Sequence, residues 1–133
     1  MDGKLVIDPG TYQAGACNIG PAEIARRRRG AVIGLAATVL LGIGLVAIGA
    51  PAIARLLVFP PLAGALIGFE QARRHFCVGF AMAGLRNFGP LGSPDRITDG
   101  ADLARDRRAG LVIVAYCSAI AAVVTLLFAA LPI

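Results

Sequence analysis

Two short stretches hold most of the side chains able to do chemistry. In the first, Cys17-Asn18-Ile19-Gly20-Pro21-Ala22-Glu23 runs into Arg26-Arg27-Arg28-Arg29; in the second, Glu70-Gln71-Ala72-Arg73-Arg74-His75 leads to Phe76-Cys77. A thiol beside cations is a better nucleophile and a better metal ligand. Cys17 and Cys77, with His75 two residues from Cys77 and Arg27 nearby, are therefore a candidate thiol site for sulfur transfer, redox sensing or metal binding. The plainer alternative is two unrelated interfacial cysteines. Cys117, in the middle of an apolar run beside Ser118, reads as a packing residue.

Other chemistries find little support. Three cysteines are an odd number without CxxC spacing, which argues against a disulfide framework or a zinc site. One histidine excludes haem held by two histidines of the same chain. The chain has no Gly-rich phosphate loop, no Ser/His/Asp set and no carboxylate pair inside an apolar run. No catalytic residue and no metal ligand set is assigned, the residues name no cofactor, and a non-enzyme is the expected class.

Composition says what must position these groups. At 133 residues, 57% hydrophobic and 16% charged, with mean hydropathy +0.75, the chain is too apolar for an ordinary soluble domain. Its net charge of +5 sits in blocks outside the apolar runs with no aromatic residues interleaved, so nucleic acid is not an expected partner. Membrane lipids are.

The expected fold is all-α and integral to the membrane, with three transmembrane helices at about 30–49, 52–69 and 109–131 and a short interfacial helix at about 76–86. Gly30 to Gly49 is a run of 20 uncharged residues, enough at about 1.5 Å each for a hydrocarbon layer of roughly 30 Å. Gly20 can cap this helix, Pro21 suits its first position, and Glu23 falls near its positive end. The second span is kinked at Pro60-Pro61, with Arg55 reaching back to the interface. Glu70 pairs with Arg73 and Arg74 at helical spacing. The domain reading is a flexible arm at 1–16, a helical hairpin with its interfacial helix at 17–89, a cytoplasmic linker at 90–108 rich in turn signals, and a third span within 109–133.

Counting cations sets the orientation. Five precede Gly30, seven lie between Glu70 and Arg108, and only Arg55 lies elsewhere. The positive-inside rule places the N-terminus in the cytoplasm and the C-terminus outside, as expected of a multi-pass protein of the inner (plasma) membrane. A signal peptide with Arg26 to Arg29 as its basic head is the competing reading, disfavoured by the length of the apolar run.

Small residues recur at helical spacing. Gly30, Gly34, Thr38 and Gly42 line one stripe of the first helix, and Gly64 and Gly68 repeat the interval on the second. This is the pattern by which backbones approach closely in lipid, within one chain or between chains. Arg26 to Arg29 serve topology and lipid headgroups; being consecutive, they point all round a helix rather than into one pocket.

Asn18-Ile19-Gly20-x-x-Glu23-x-x-x-Arg27, with Phe76-Cys77 followed seven residues later by Gly84, resembles the small inner-membrane domain found alone or fused to rhodanese sulfurtransferases, the YgaP-like domain. That family opens with Asn-x-Gly-x-x-Asp-Arg-x-x-Arg and closes its second helix with Phe-Cys-Pro and a later glycine. The similarity covers roughly residues 17–89. Ile24 stands where an Arg is usual, Val78 where Pro follows the cysteine, the charged segment Glu70 to His75 is inserted, and the third helix is extra. The fuller Cys-Asn-Ile-Gly-Pro-x-Glu-Ile pattern is similar to actinobacterial membrane proteins of uncharacterised activity. The resemblance implies that Asn18 and Glu23 cap and orient the first helix at the surface while Cys17 and Cys77 meet near the same interface. It carries no sulfurtransferase activity, because the chain has no rhodanese domain.

Two functional readings remain. One is a structural membrane protein packing against itself, as a homo-oligomer, or against a larger membrane complex. The other is the cytoplasmic-face thiol site at Cys17 and Cys77. An ion or solute pathway is weaker, since no span carries a charge.

Overall fold

Pro21 opens the first helix because a first helical position has no use for an N–H and proline's fixed φ already suits it. In the computed structural model, which describes residues 12–133, that helix is α1, Pro21–Ala47, with Gly20 at its N-cap. A turn through Gly49, at φ +68°, reverses the chain. The second span then forms in three pieces: α2 (Ala52–Arg55), a 3-10 turn (Leu56–Val58) and α3 (Phe59–Arg74). The tightening falls just before Pro60-Pro61, where the missing amide donors tolerate a helix start and not a helix interior.

His75 ends α3 in the left-handed conformation. The interfacial helix is shorter than 76–86: α4 spans Val78–Ala83, closed at one end by Cys77 and at the other by Gly84, whose φ of +74° favours a residue without Cβ. Two short strands come next, β1 (Leu85–Arg86) and β2 (Asp95–Arg96), paired antiparallel with Leu85 opposite Arg96. The stretch rich in turn signals is thus a small hairpin. The last helix, α5 (Gly100–Ala130), begins at Gly100 rather than Ala109, because the Asp99 side chain caps the Ala101 amide at 3.1 Å and no proline interrupts the residues from there to Ala130.

Among the described residues three helices are long and apolar enough to cross a membrane: α1, the run from α2 through α3, and α5. The protein is a helical membrane protein. Their outward faces carry large apolar residues such as Ile33, Leu40, Leu111 and Leu127, while alanines and glycines fill the contacts between them. A Cβ on Gly34 would lie 3.3 Å from Ala65, and one on Gly68 would lie 3.0 Å from Ala31, so α1 and α3 run antiparallel in close approach. Gly110 leaves room on α5 for Met82 of α4, which a Cβ there would meet at 2.9 Å. Phe76, Ala81, Ile113 and Cys117 form one small core; Leu45, Ala50 and Val58 form another near the opposite end.

Arg55 packs against the end of α5. It is buried, donates to the carbonyls of Leu131 and Ile133, and lies over the Phe128 ring. Residues 1–11 of the expected arm lie outside the described residues. Residues 13–17 form a turn, closed by the Gln13 amide on the Cys17 carbonyl at 2.9 Å.

Candidate functional site

The charged stretches meet in a buried polar junction below the helix ends. Asn18 is its hub. Its side-chain oxygen accepts the Cys77 amide at 2.7 Å and its amide nitrogen donates to the Cys77 carbonyl at 3.1 Å, tying the segment before α1 to the segment before α4. The backbone reinforces this: the amides of Asn18 and Ile19 both donate to the His75 carbonyl, at 3.0 and 3.3 Å. The left-handed turn at His75 aims that carbonyl; α3 cannot continue through it.

Glu23 is buried and shared. Arg27 reaches its Oε1 at 2.8 Å, and the Asn87 side chain donates to its Oε2 at 2.9 Å. Asn87 also donates to the Pro90 carbonyl and accepts the Gly89 amide, so it folds the loop after β1 and pins it to α1 in one move. The Asn87 amide donates to the Asn18 carbonyl and the Gly20 amide to the Asn87 carbonyl, a two-bond seam closed at 2.9 and 2.8 Å. Gly20 must be glycine at that seam: a Cβ would stand 2.9 Å from the Phe88 backbone.

Asn18 and Glu23 therefore do not cap α1 at the surface, as the family resemblance implied. Both are buried, and Gly20 caps α1 without a side-chain hydrogen bond. An ionised carboxylate is costly to bury unless it is paired and hydrogen-bonded, and Arg27 with Asn87 meets that need. Of the four consecutive arginines, only Arg27 turns inward; Arg26, Arg28 and Arg29 are exposed.

Arg27 also touches the thiol. Its Nη2 lies 2.8 Å from Cys77 Sγ, its guanidinium sits over the Phe80 ring, and the Phe80 amide approaches the same sulfur at 3.5 Å. Cys17 is buried in the opening turn, its thiol 3.9 Å from the Ile19 carbonyl oxygen. His75, two residues from Cys77, borders a pocket lined also by Arg73 and Arg74. All three cysteines are buried thiols. Among the described residues no group of His, Cys, Asp and Glu has the arrangement of a metal site.

Of the remaining expected residues, Gly84 ends α4 against Leu103. Thr38 donates to the Gly34 carbonyl at 2.8 Å. Gly34 and Gly68 form the α1–α3 crossing and Gly42 faces Phe128 and Val58, whereas Gly30 and Gly64 are open to the outside. These last two border a groove of about 470 Å³ between α1 and α3, with Arg26 and Arg27 at one end.

Three further participants escape a reading of the sequence. Asn87 lies among turn residues, though Asn two before a glycine is a known turn signal. Gln71 accepts the Val78 amide at 2.7 Å and joins α3 to α4. Asp106, fully buried on α5, accepts the Tyr12 hydroxyl at 2.8 Å and the Gly15 amide at 2.6 Å, holding the opening turn against the last helix. Burial and the Asp106 carboxylate together push the Tyr12 hydroxyl well above the usual tyrosine range.

Comparison with known proteins returns no matching family model, no similar curated protein and no similar solved structure.

Proposed function

We propose that the protein is a structural membrane subunit: a three-helix unit that acts by packing its α1–α3 face against a helix of a second copy or of a larger membrane complex. The observation that carries this reading is the groove beside the α1–α3 crossing. Gly30 and Gly64 border it with open space where a Cβ would stand, which is how small residues admit a neighbouring helix backbone in lipid. The buried polar groups support the same reading. Asn18, Glu23, Arg27, Gln71 and Asn87 are engaged with one another and with the backbone, so they serve as fasteners. The N-terminus lies in the cytoplasm and the C-terminus outside, on the strength of the cation count. The YgaP-like resemblance fits such a part, since that domain is itself a small helical membrane unit.

The test is self-association in a bilayer, read by energy transfer between labelled copies. Gly30→Leu and Gly64→Leu should weaken it at least about tenfold, a loss of roughly 1.4 kcal/mol, while Cys17→Ser and Cys77→Ser leave it unchanged. Association unaffected by the leucines would remove the groove from the account.

One observation favours the thiol site as a second reading. Cys77 Sγ receives both the Arg27 guanidinium and the Phe80 amide, and two N–H donors on one sulfur are what a thiol-based site would use to hold charge there. It selects Cys77 as the reactive partner. Faster alkylation of Cys77 than of Cys117, lost in Arg27→Met, would support it; equal slow labelling of both would not.

A further inference from the structure

The geometry points to a second site: the pocket between the opening turn, the end of α3 and α5 binds a phosphoryl group, presented by a lipid headgroup or by a phosphate-bearing solute. The pocket holds about 430 Å³ and is bordered by Gly15, Ala16, Arg73, Arg74, His75 and Ile113, a size usual for small-ligand sites.

Its charge is unbalanced. Arg73 and Arg74 share one carboxylate: Arg73 Nε and Nη2 reach Glu70 at 2.9 and 2.5 Å, and Arg74 Nε reaches it at 2.9 Å. The Tyr116 hydroxyl takes up further capacity of the same carboxylate. Two cations on one anion leave one positive charge in surplus. The remaining guanidinium nitrogens of both residues, Arg73 Nη1 and Arg74 Nη1 and Nη2, have no acceptor among the described residues. Planar guanidinium forks match phosphate oxygens two at a time.

His75 adds the most specific sign. Its Nδ1 is buried without a hydrogen-bond partner, an arrangement that proteins rarely leave unused. The other nearby acid, Asp106, is engaged at both oxygens, by Tyr12 and Gly15. Asp106 thereby fixes the turn that forms the pocket's far wall. Two guanidinium groups bordering one pocket suit a ligand with three acceptor oxygens.

His75 is the chain's single histidine, so its imidazole gives one unambiguous NMR signal from the full-length protein. In uncharged maltoside micelles, inorganic phosphate is titrated against chloride at constant ionic strength. In a second arm, nanodiscs of phosphatidylcholine are compared with nanodiscs of rising phosphatidylglycerol content, with R73Q/R74Q protein as the reference for surface potential. A saturable shift of the imidazole signal is expected in at least one arm. A response to phosphate assigns a soluble ligand; a response to phosphatidylglycerol alone assigns a lipid. R73Q/R74Q should raise the half-saturation point about tenfold or more, the scale of losing one charge-assisted hydrogen bond. Arg74→Lys, which keeps the charge and removes the fork, should raise it severalfold and serves if the double variant does not fold. No saturable shift in either arm, or an equal shift in the arginine variants, overturns the site.

Discussion

At the scale of single residues, the buried junction rests on Asn18 more than on either charge. Its amide makes two hydrogen bonds to the Cys77 backbone; the Cys77 carbonyl also accepts the Ala81 amide, whereas the Cys77 amide donates to Asn18. Asn18→Ala would strand the Cys77 amide, and we expect a loss of about 1–3 kcal/mol, read as reversible unfolding in mixed micelles. Asn18→Asp should also destabilise, since it sets a buried charge against the Cys77 carbonyl. A second residue-scale prediction concerns Tyr12. Its folded pKa is raised, chiefly by desolvation and then by the Asp106 carboxylate. The stability it contributes is therefore fully present below its unfolded value of about 10 and is lost only as pH rises beyond that through the folded value. In a Tyr116→Phe background, the remaining tyrosinate absorbance should appear well above pH 10, and Asp106→Asn should bring it down. Titration at the ordinary value in the parent protein would mean that the Tyr12 to Asp106 bond is not held in solution.

At the scale of elements, local signals are readable in the sequence and long-range ones are not. Gly20 and Pro21 announce the start of α1 within two positions, and Glu70 meets Arg73 and Arg74 one turn on, as i,i+3 and i,i+4 spacing requires. The pairing of Asn18 with Cys77 joins residues 59 apart, and nothing in either neighbourhood encodes the other. Glu23 escapes for the same reason: its position suits an exposed helix start, and only the arrival of Asn87 makes it a buried acceptor. The strands β1 and β2 are hidden by their brevity, because two residues cannot show alternation. Gly110 belongs to this scale as well. Gly110→Leu would drive a side chain into Met82 and Val78, lifting α4 from α5. Cys117, packed beneath α4 with Phe76 and Ala81, should then alkylate at least about tenfold faster, while α1 and α3 stay paired. Unchanged labelling would mean that α4 does not cover Cys117.

For the whole molecule, the distribution of charge makes a topological prediction. The foot of α1, the end of α3 and the start of α5 carry the cations, and the turn between α1 and α2 lies at the other end. Single cysteines introduced at Arg28 and Ala101, in a background lacking the native thiols, should react with an impermeant maleimide only in inverted vesicles. One at Ile48 should react only in right-side-out vesicles. Reaction of Arg28→Cys and Ala101→Cys from opposite faces would break the three-span arrangement. The polar junction and the phosphoryl pocket both lie at the cationic end. The bilayer-facing part of the molecule is left with little besides apolar side chains and small-residue contacts.

The unbroken course of α5 has a mechanical meaning. Its 31 residues make a rod about 46 Å long, against roughly 30 Å of hydrocarbon. Its uncharged part, Ala109 to Leu131, is itself near 35 Å and accommodates a thinner bilayer by tilting. Because α5 runs unbroken through Gly110, its tilt would set where Asp102 to Arg108 lie, and the Asp106 hydrogen bonds tie Tyr12 and Gly15 to that end. Membrane thickness would thereby bear on where the turn at residues 13–17 is held.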